Sequence, residues 1–203
     1  MKPDDQINTV GCDTCSNGRT ARQTRIRLAT YEGCLTKTPD LLVRIYSLLN
    51  PGIHTEIWID NFRISAVDGE GGANCIKILE TDAGILDAHV GWHVVDLPIT
   101  DPGIAVDYIQ RVHCLPIRYG ISVPECALPK FCLDEIDQDI DCCRPETWKQ
   151  VFCSQFALLF LRHCAISGIL QVPKDKARLL WSVNSKGCLP SRLQIITDRI
   201  FSS

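Results

Sequence analysis

Residues 150–164 read QVFCSQFALLFLRHC, and the fold reading turns on this stretch. Counting from Cys153, Phe156, Ala157, Phe160, Leu161 and Cys164 fall at helical spacing and share its face. Leu158 and Leu159 make the opposite face apolar as well, so the spacing predicts a helix over Phe152–Ile166 that is buried on most sides. A cysteine in the first turn of such a helix meets free backbone N–H groups and the positive end of the helix dipole. Both favour thiolate over thiol. The same N–H groups can hold an oxyanion, with that of Cys153 itself as the candidate donor. A competing reading starts the helix at Pro145-Glu146-Thr147, which would leave Cys153 mid-helix.

Upstream of the helix the pattern changes period. IRLATY (26–31), IHTEIWID (53–60), FRISAV (62–67), CIKIL (75–79) and WHVVDLP (92–98) read as strands, with a turn at Asp60–Asn61 and a glycine-rich DGEGG at 68–72. Helices are expected over Asp40–Leu49, after Pro39, and over Asp101–Leu115. Residues 124–146 read as irregular and acidic, and 179–184 and 193–201 as short strand or helix pieces. Consecutive strands closed by a buried helix indicate an α+β fold with an antiparallel sheet or small barrel, not a doubly wound one. Residues 1–24 read as a loose arm whose end, Arg19, Arg22, Arg25 and Arg27, is basic, and 25–203 as one domain.

A cysteine nucleophile needs a histidine within hydrogen-bond reach. Of the five, His163 lies ten residues along the same helix, too far along its axis, and His113 sits in an apolar helical stretch. His54 opens the cleanest strand. Glu56, two residues on, shares its face of the sheet and can orient the imidazole. His93, also at the start of a strand, is the reserve base.

The chain carries 12 cysteines, but its first residues, MKPDDQINTV, have no apolar run and do not read as a signal peptide. Mostly free thiols in a reducing, cytoplasmic setting are expected. A net charge of −3 argues against a general nucleic-acid binder. No stretch is apolar over the roughly 18 residues that a membrane span needs. Cys12-x-x-Cys15, and Cys142-Cys143 with Cys126, Cys132 or a histidine, leave open a zinc-binding module.

Five motifs stand in order: HTEIWI (54–59), ISAVDGEGG (64–72), RYGI (118–121), FCSQFALLFL (152–161) and LPSRL (189–193). From about residue 26 to 196 this order resembles the circularly permuted branch of the NlpC-type papain-like superfamily. That branch includes YiiX-like and lecithin retinol acyltransferase-like groups, and the order is nearest to a subset associated with large DNA viruses and phages. Gln155 stands where such relatives often carry Glu, and 124–146 has no counterpart among them. The resemblance implies a permuted papain-like fold with Cys153 as nucleophile, His54 as base and Glu56 as third member. It implies a thiol hydrolase or acyltransferase acting on a peptide, protein or acyl substrate, without a cofactor or metal, in host cytoplasm or virion. A non-catalytic binding protein on the same fold is the alternative.

Overall fold

In an antiparallel hairpin with a two-residue loop, the turn fixes which residues face each other. Asp60 and Asn61 form such a loop between β2 (His54–Ile59) and β3 (Phe62–Ala66), pairing Ile59 with Phe62, Trp58 with Arg63 and Ile57 with Ile64. β1 (Ile26–Tyr31) lies on the other side of β2, with Ala29 opposite Glu56 and Tyr31 opposite His54. β4 (Ile76–Glu80) extends the sheet beyond β3, and β5 (Trp92–Asp96) extends it beyond β1. The order is β4-β3-β2-β1-β5, antiparallel throughout. Its ends are β4 and β5, so the described strands form an open sheet and not a closed barrel. The structure, a computed structural model, describes residues 24–31, 54–67, 74–82, 91–120 and 140–201. The expected helix over Asp40–Leu49, the DGEGG turn, the arm before Thr24, His89 and the Cys12, Cys15, Cys126 and Cys132 thiols lie outside them.

Alternation along the strands divides the sheet into two faces. Ile26, Leu28, Ile57, Ile59, Ile64 and Ile76 belong to the main apolar core. Ala29 and Trp58 form a second cluster on the other face, with Trp92 and Val94 packed against it. The hairpin loop also anchors β1. Asp60 takes a positive φ of 51°, accepts the Arg25 backbone N–H on Oδ1 at 2.9 Å, and donates its own N–H to the Arg25 carbonyl at 2.9 Å.

Helix α1 (Pro102–His113) starts as its sequence dictates. Asp101 Oδ1 accepts the N–H groups of Gly103 and Ile104 at 3.0 and 3.3 Å, and Pro102 occupies a first-turn position that needs no donor. Helix α2 (Cys153–Ile166) is the expected buried helix. Every residue from Cys153 to Arg162 is buried. α2 packs on β2 and β3, and α1 and α4 (Pro190–Phe201) also pack against it. Even its arginine is enclosed: Arg162 donates to the Leu180 and Val183 carbonyls at 2.9 and 2.7 Å, which ties the segment after the short helix α3 (Lys174–Ala177) to α2. At its C-terminal end Gly168, at φ 72°, turns the chain, while Gly168 and Ile169 donate to the Ala165 and Cys164 carbonyls.

Two details differ from the sequence reading. Residues 193–201 are not short pieces but most of α4, twelve residues long, with Leu193, Ile196, Thr197 and Ile200 buried at helical spacing and Pro190 opening it. Residues 179–184 do hold a short helix piece, the 3-10 turn Arg178–Trp181 that overlaps their start. A short parallel pair was also not anticipated: β6 (Arg118–Tyr119) runs beside β7 (Gln150–Val151). No helix among the described residues is long and apolar enough to cross a membrane.

Leu159 has no exposed surface at the middle of α2. Leu159→Ala is expected to cost about 3 kcal/mol in denaturant unfolding. A cost below about 1 kcal/mol would mean that α2 is not the packed centre.

Candidate active site

The chain reaches Cys153 through β7, whose Tyr119–Val151 pairing is extended by the Gly120 N–H donating to the Val151 carbonyl at 2.9 Å. Pro145–Thr147 forms only a 3-10 turn, and the extended β7 separates it from α2. The reading in which a helix runs on from Pro145 is therefore excluded, and Cys153 is the first residue of α2. Phe152 precedes it in extended conformation and supplies no side-chain cap. The first backbone bond of the helix runs from the Phe156 N–H to the Phe152 carbonyl at 2.9 Å. The N–H groups of Cys153, Ser154 and Gln155 thus precede the intrahelical ladder, which is the arrangement that suits an anion. Ser154 turns its hydroxyl away, donating to the Cys188 carbonyl at 2.6 Å.

His54, the first residue of β2, brings its imidazole to this helix start and hydrogen-bonds the Cys153 side chain. Its Nε2 lies 3.3 Å from Glu56 Oε1 and 3.2 Å from Ser65 Oγ. Ser65 also donates to the Thr55 carbonyl at 2.9 Å. The structure therefore brings the three sequence-predicted residues together: Glu56 holds His54, and His54 meets Cys153.

Glu56 is 6% exposed and would be costly to ionise without partners. It has three. Arg63 grips it bidentately, Nε to Oε2 at 2.6 Å and Nη2 to Oε1 at 2.7 Å. Trp58 donates its indole N–H to Oε2 at 2.8 Å, and His54 supplies the third contact. Burial alone would raise the carboxyl's pKa. The hydrogen bonds from His54, Arg63 and Trp58 and the charge of Arg63 overcome it and hold the pKa at about 2. Burial likewise pulls His54 downward, but its hydrogen bonds to Cys153 and Glu56, and the charges of both, raise it from 6.5 to about 9. Trp92 closes the face, its ring 6.4 Å edge-on from His54 and beneath the Arg63 guanidinium at 5.2 Å.

The remaining described histidines are engaged elsewhere. His93, the reserve base, has Nε2 at 2.8 Å from Asp198 Oδ1 and links β5 to α4. The period of two puts it on the opposite face of the sheet from His54, because it pairs with Thr30 while Tyr31 pairs with His54. His113 Nδ1 contacts the Ile76 carbonyl at 2.8 Å, and His163 stacks on Tyr108 at 3.9 Å.

No family model matches the chain, and no curated protein or solved structure matches it.

Among the described residues the thiols are free, as expected. Burial pushes Cys75 up to about 11 and Cys164 up to about 12, which makes them poor nucleophiles. The sequence reading missed Arg63, Trp58, Ser65 and Trp92. A usable signal existed for three of them. With the Asp60–Asn61 turn in place, period-two pairing sets Arg63 opposite Trp58 and carries Ser65 to the position beside Glu56.

Two outcomes are expected. Arg63→Ala strips Glu56 of its bidentate partner and should lower stability by on the order of 3 kcal/mol, whereas Glu56→Gln/Arg63→Ala should cost less than the sum of its parts. Strict additivity in that double-mutant cycle would mean that the pair is not coupled. The pH response has two arms. His54 is stabilised in its protonated form, so its contribution is complete below pH 6.5 and is lost as pH rises through about 9; that of Glu56 is complete above 4.5 and is lost as pH falls toward 2. His54→Gln should flatten the decline in stability between pH 6.5 and 9. An unchanged slope would remove His54 as its source.

Proposed function

We propose that the chain is a thiol hydrolase that cleaves an amide, peptide or acyl-ester bond through a thioester on Cys153. The observation that carries this reading is that one imidazole, His54, hydrogen-bonds both a cysteine at the first position of a buried helix and a carboxylate fixed by Arg63 and Trp58. Glu56 and Ser65 engage Nε2, which leaves Nδ1 for the sulfur. His54 keeps a proton at neutral pH in this setting, so the pair is poised with the imidazolium beside the sulfur.

In the first step the Cys153 sulfur attacks the substrate carbonyl carbon, and the carbonyl electrons move onto oxygen. The N–H groups at the start of α2, with that of Cys153 first, stabilise the oxyanion. Collapse of this intermediate expels the amine or alcohol, which takes its proton from His54 and leaves a thioester. Water, deprotonated by the now neutral His54, then attacks the thioester, and the carbon–sulfur bond breaks with its electrons returning to sulfur, so that the acid product departs and the starting pair of imidazolium and sulfur is restored. Glu56 stays ionised throughout. It orients the ring and stabilises the imidazolium. Transfer to an acceptor other than water would make the same site an acyltransferase.

The fold proposed for this site is the permuted papain-like one implied by the five ordered motifs. An antiparallel sheet that carries the histidine and carboxylate, followed along the chain by a buried helix headed by cysteine, supports it. The surroundings of His54 add a criterion for the substrate. Cys153 is 5% exposed whereas the His54 side chain is 26% exposed, so a substrate approaches along the imidazole and the Trp92 side.

At pH 6, iodoacetamide should alkylate Cys153 roughly tenfold faster than the exposed Cys114 and Cys143, and His54→Ala should abolish that advantage. Mass spectrometry showing Cys114 and Cys143 labelled while Cys153 stays protected would overturn the assignment. Electrophilic acyl, peptide and ubiquitin-like probes should label the wild type but not Cys153→Ala, and the probe that labels fastest gives the substrate class.

A further inference from the structure

A second cluster of chemistry-bearing side chains lies outside the candidate active site. Asp141, Cys142 and Cys143 follow one another in sequence, yet a carboxylate oxygen and two sulfurs all lie within 4.8 Å of one another. The sulfurs are 4.0 Å apart. Two thiolates on one tetrahedral zinc-type ion, with metal–sulfur bonds of about 2.3 Å, stand about 3.8 Å apart. Closing the gap requires a shift of only a few tenths of an ångström.

The backbone of this cluster is pinned at each residue. Trp148 donates its indole N–H to the Asp141 carbonyl at 2.9 Å. Tyr108, buried on α1, donates its hydroxyl to the Cys142 carbonyl at 2.9 Å, and Arg111, one turn further along α1, reaches the Cys143 carbonyl at 3.2 Å. The Cys143 N–H bonds back to Asp141 Oδ1 at 2.8 Å, which leaves the other carboxylate oxygen for a ligand. Neighbouring residues thus fix the donor directions before any ion arrives, as supporting contacts around a metal site do.

We infer that Asp141, Cys142 and Cys143 form a binding site for a thiophilic divalent cation of the zinc class. Binding replaces two S–H bonds by two sulfur–metal bonds and releases both protons to solvent. Two thiolates and a carboxylate carry three negative charges against the two positive charges of the ion, and the remaining negative charge lies beside the Arg111 guanidinium. Cys142 is buried and Cys143 exposed, so the ion enters from the Cys143 side and completes its tetrahedron with solvent. The site is independent of Cys153: neither sulfur belongs to the hydrolase machinery, and loss of one reading leaves the other standing.

Cadmium is a suitable probe because cadmium–thiolate bonds absorb in the ultraviolet. Full-length protein, reduced and stripped of metal, is titrated with Cd2+. The wild type should develop a thiolate-to-metal band and a raised melting temperature, and Cys142→Ser/Cys143→Ser should lose the part of both that two thiolates supply. Asp141→Asn, an exposed and conservative change that leaves folding intact, should weaken cadmium affinity by roughly tenfold. A double serine variant that binds Cd2+ with the band, stoichiometry and affinity of the wild type would place the metal on other thiols and overturn the inference. So would the lack of any band in the wild type, or an Asp141→Asn affinity equal to that of the wild type.

Discussion

A helix that carries leucine, phenylalanine or alanine around its whole circumference cannot rest against water at any angle, and α2 is such a helix. Each fully buried leucine or phenylalanine contributes about 2 kcal/mol by leaving water, so the described fold is arranged to cover it. The sheet lies along one side, α1 and α4 pack against others, and the segment after α3 is held down through Arg162. Burial of the helix body leaves its N-terminal N–H groups as the polar feature at that end of the core. A cysteine placed there inherits a field that no surface helix would maintain against solvent.

The opposite demand operates on the other face of the sheet. There a carboxylate is removed from water, and three donors from three positions converge on it. Glu56 is a rigid anchor because its partners are themselves constrained: Trp58 by packing against Ala29 and Trp92, and Arg63 by lying over the Trp92 ring. An imidazole held by such an anchor has one orientation, and that orientation meets the start of α2. The apolar helix and the paired carboxylate together define the site, and His54, at the end of β2, is where they meet.

Much of this was legible in the sequence, for physical reasons. Period-two alternation over 54–59 and 26–31 placed the strands, and the 3.6-residue period after Cys153 placed the helix, because strong patterns of burial leave little choice. The grouping of His54, Glu56 and Cys153 was legible through strand spacing and ordered motifs. Arg63 was hidden because its role depends on cross-strand pairing, which spacing within one strand does not show. The start of α2 was ambiguous because Pro145 is a good first helical residue; the strand pairing of Gln150–Val151 with Arg118–Tyr119, a contact between distant segments, decides against it. α4 is longer than its apolar pattern indicates, because Pro190 and Leu193, which also fit a motif, form the opening turn of the helix.

The Asp60 turn has a consequence for parity. A glycine would adopt its positive φ with less strain, but a glycine has no Oδ1 to receive the Arg25 N–H. Aspartate therefore accepts a strained backbone and in return locks the start of β1 to the β2–β3 loop. A slip of one residue in a sheet exchanges its two faces. Here it would turn His54 and Glu56 into the hydrocarbon side and send Thr55 and Ile57 toward Trp92. A single side chain at a hairpin tip, far along β2 from the sulfur, thus decides whether the sheet is read in the odd or the even sense, and only one of those senses contains a site.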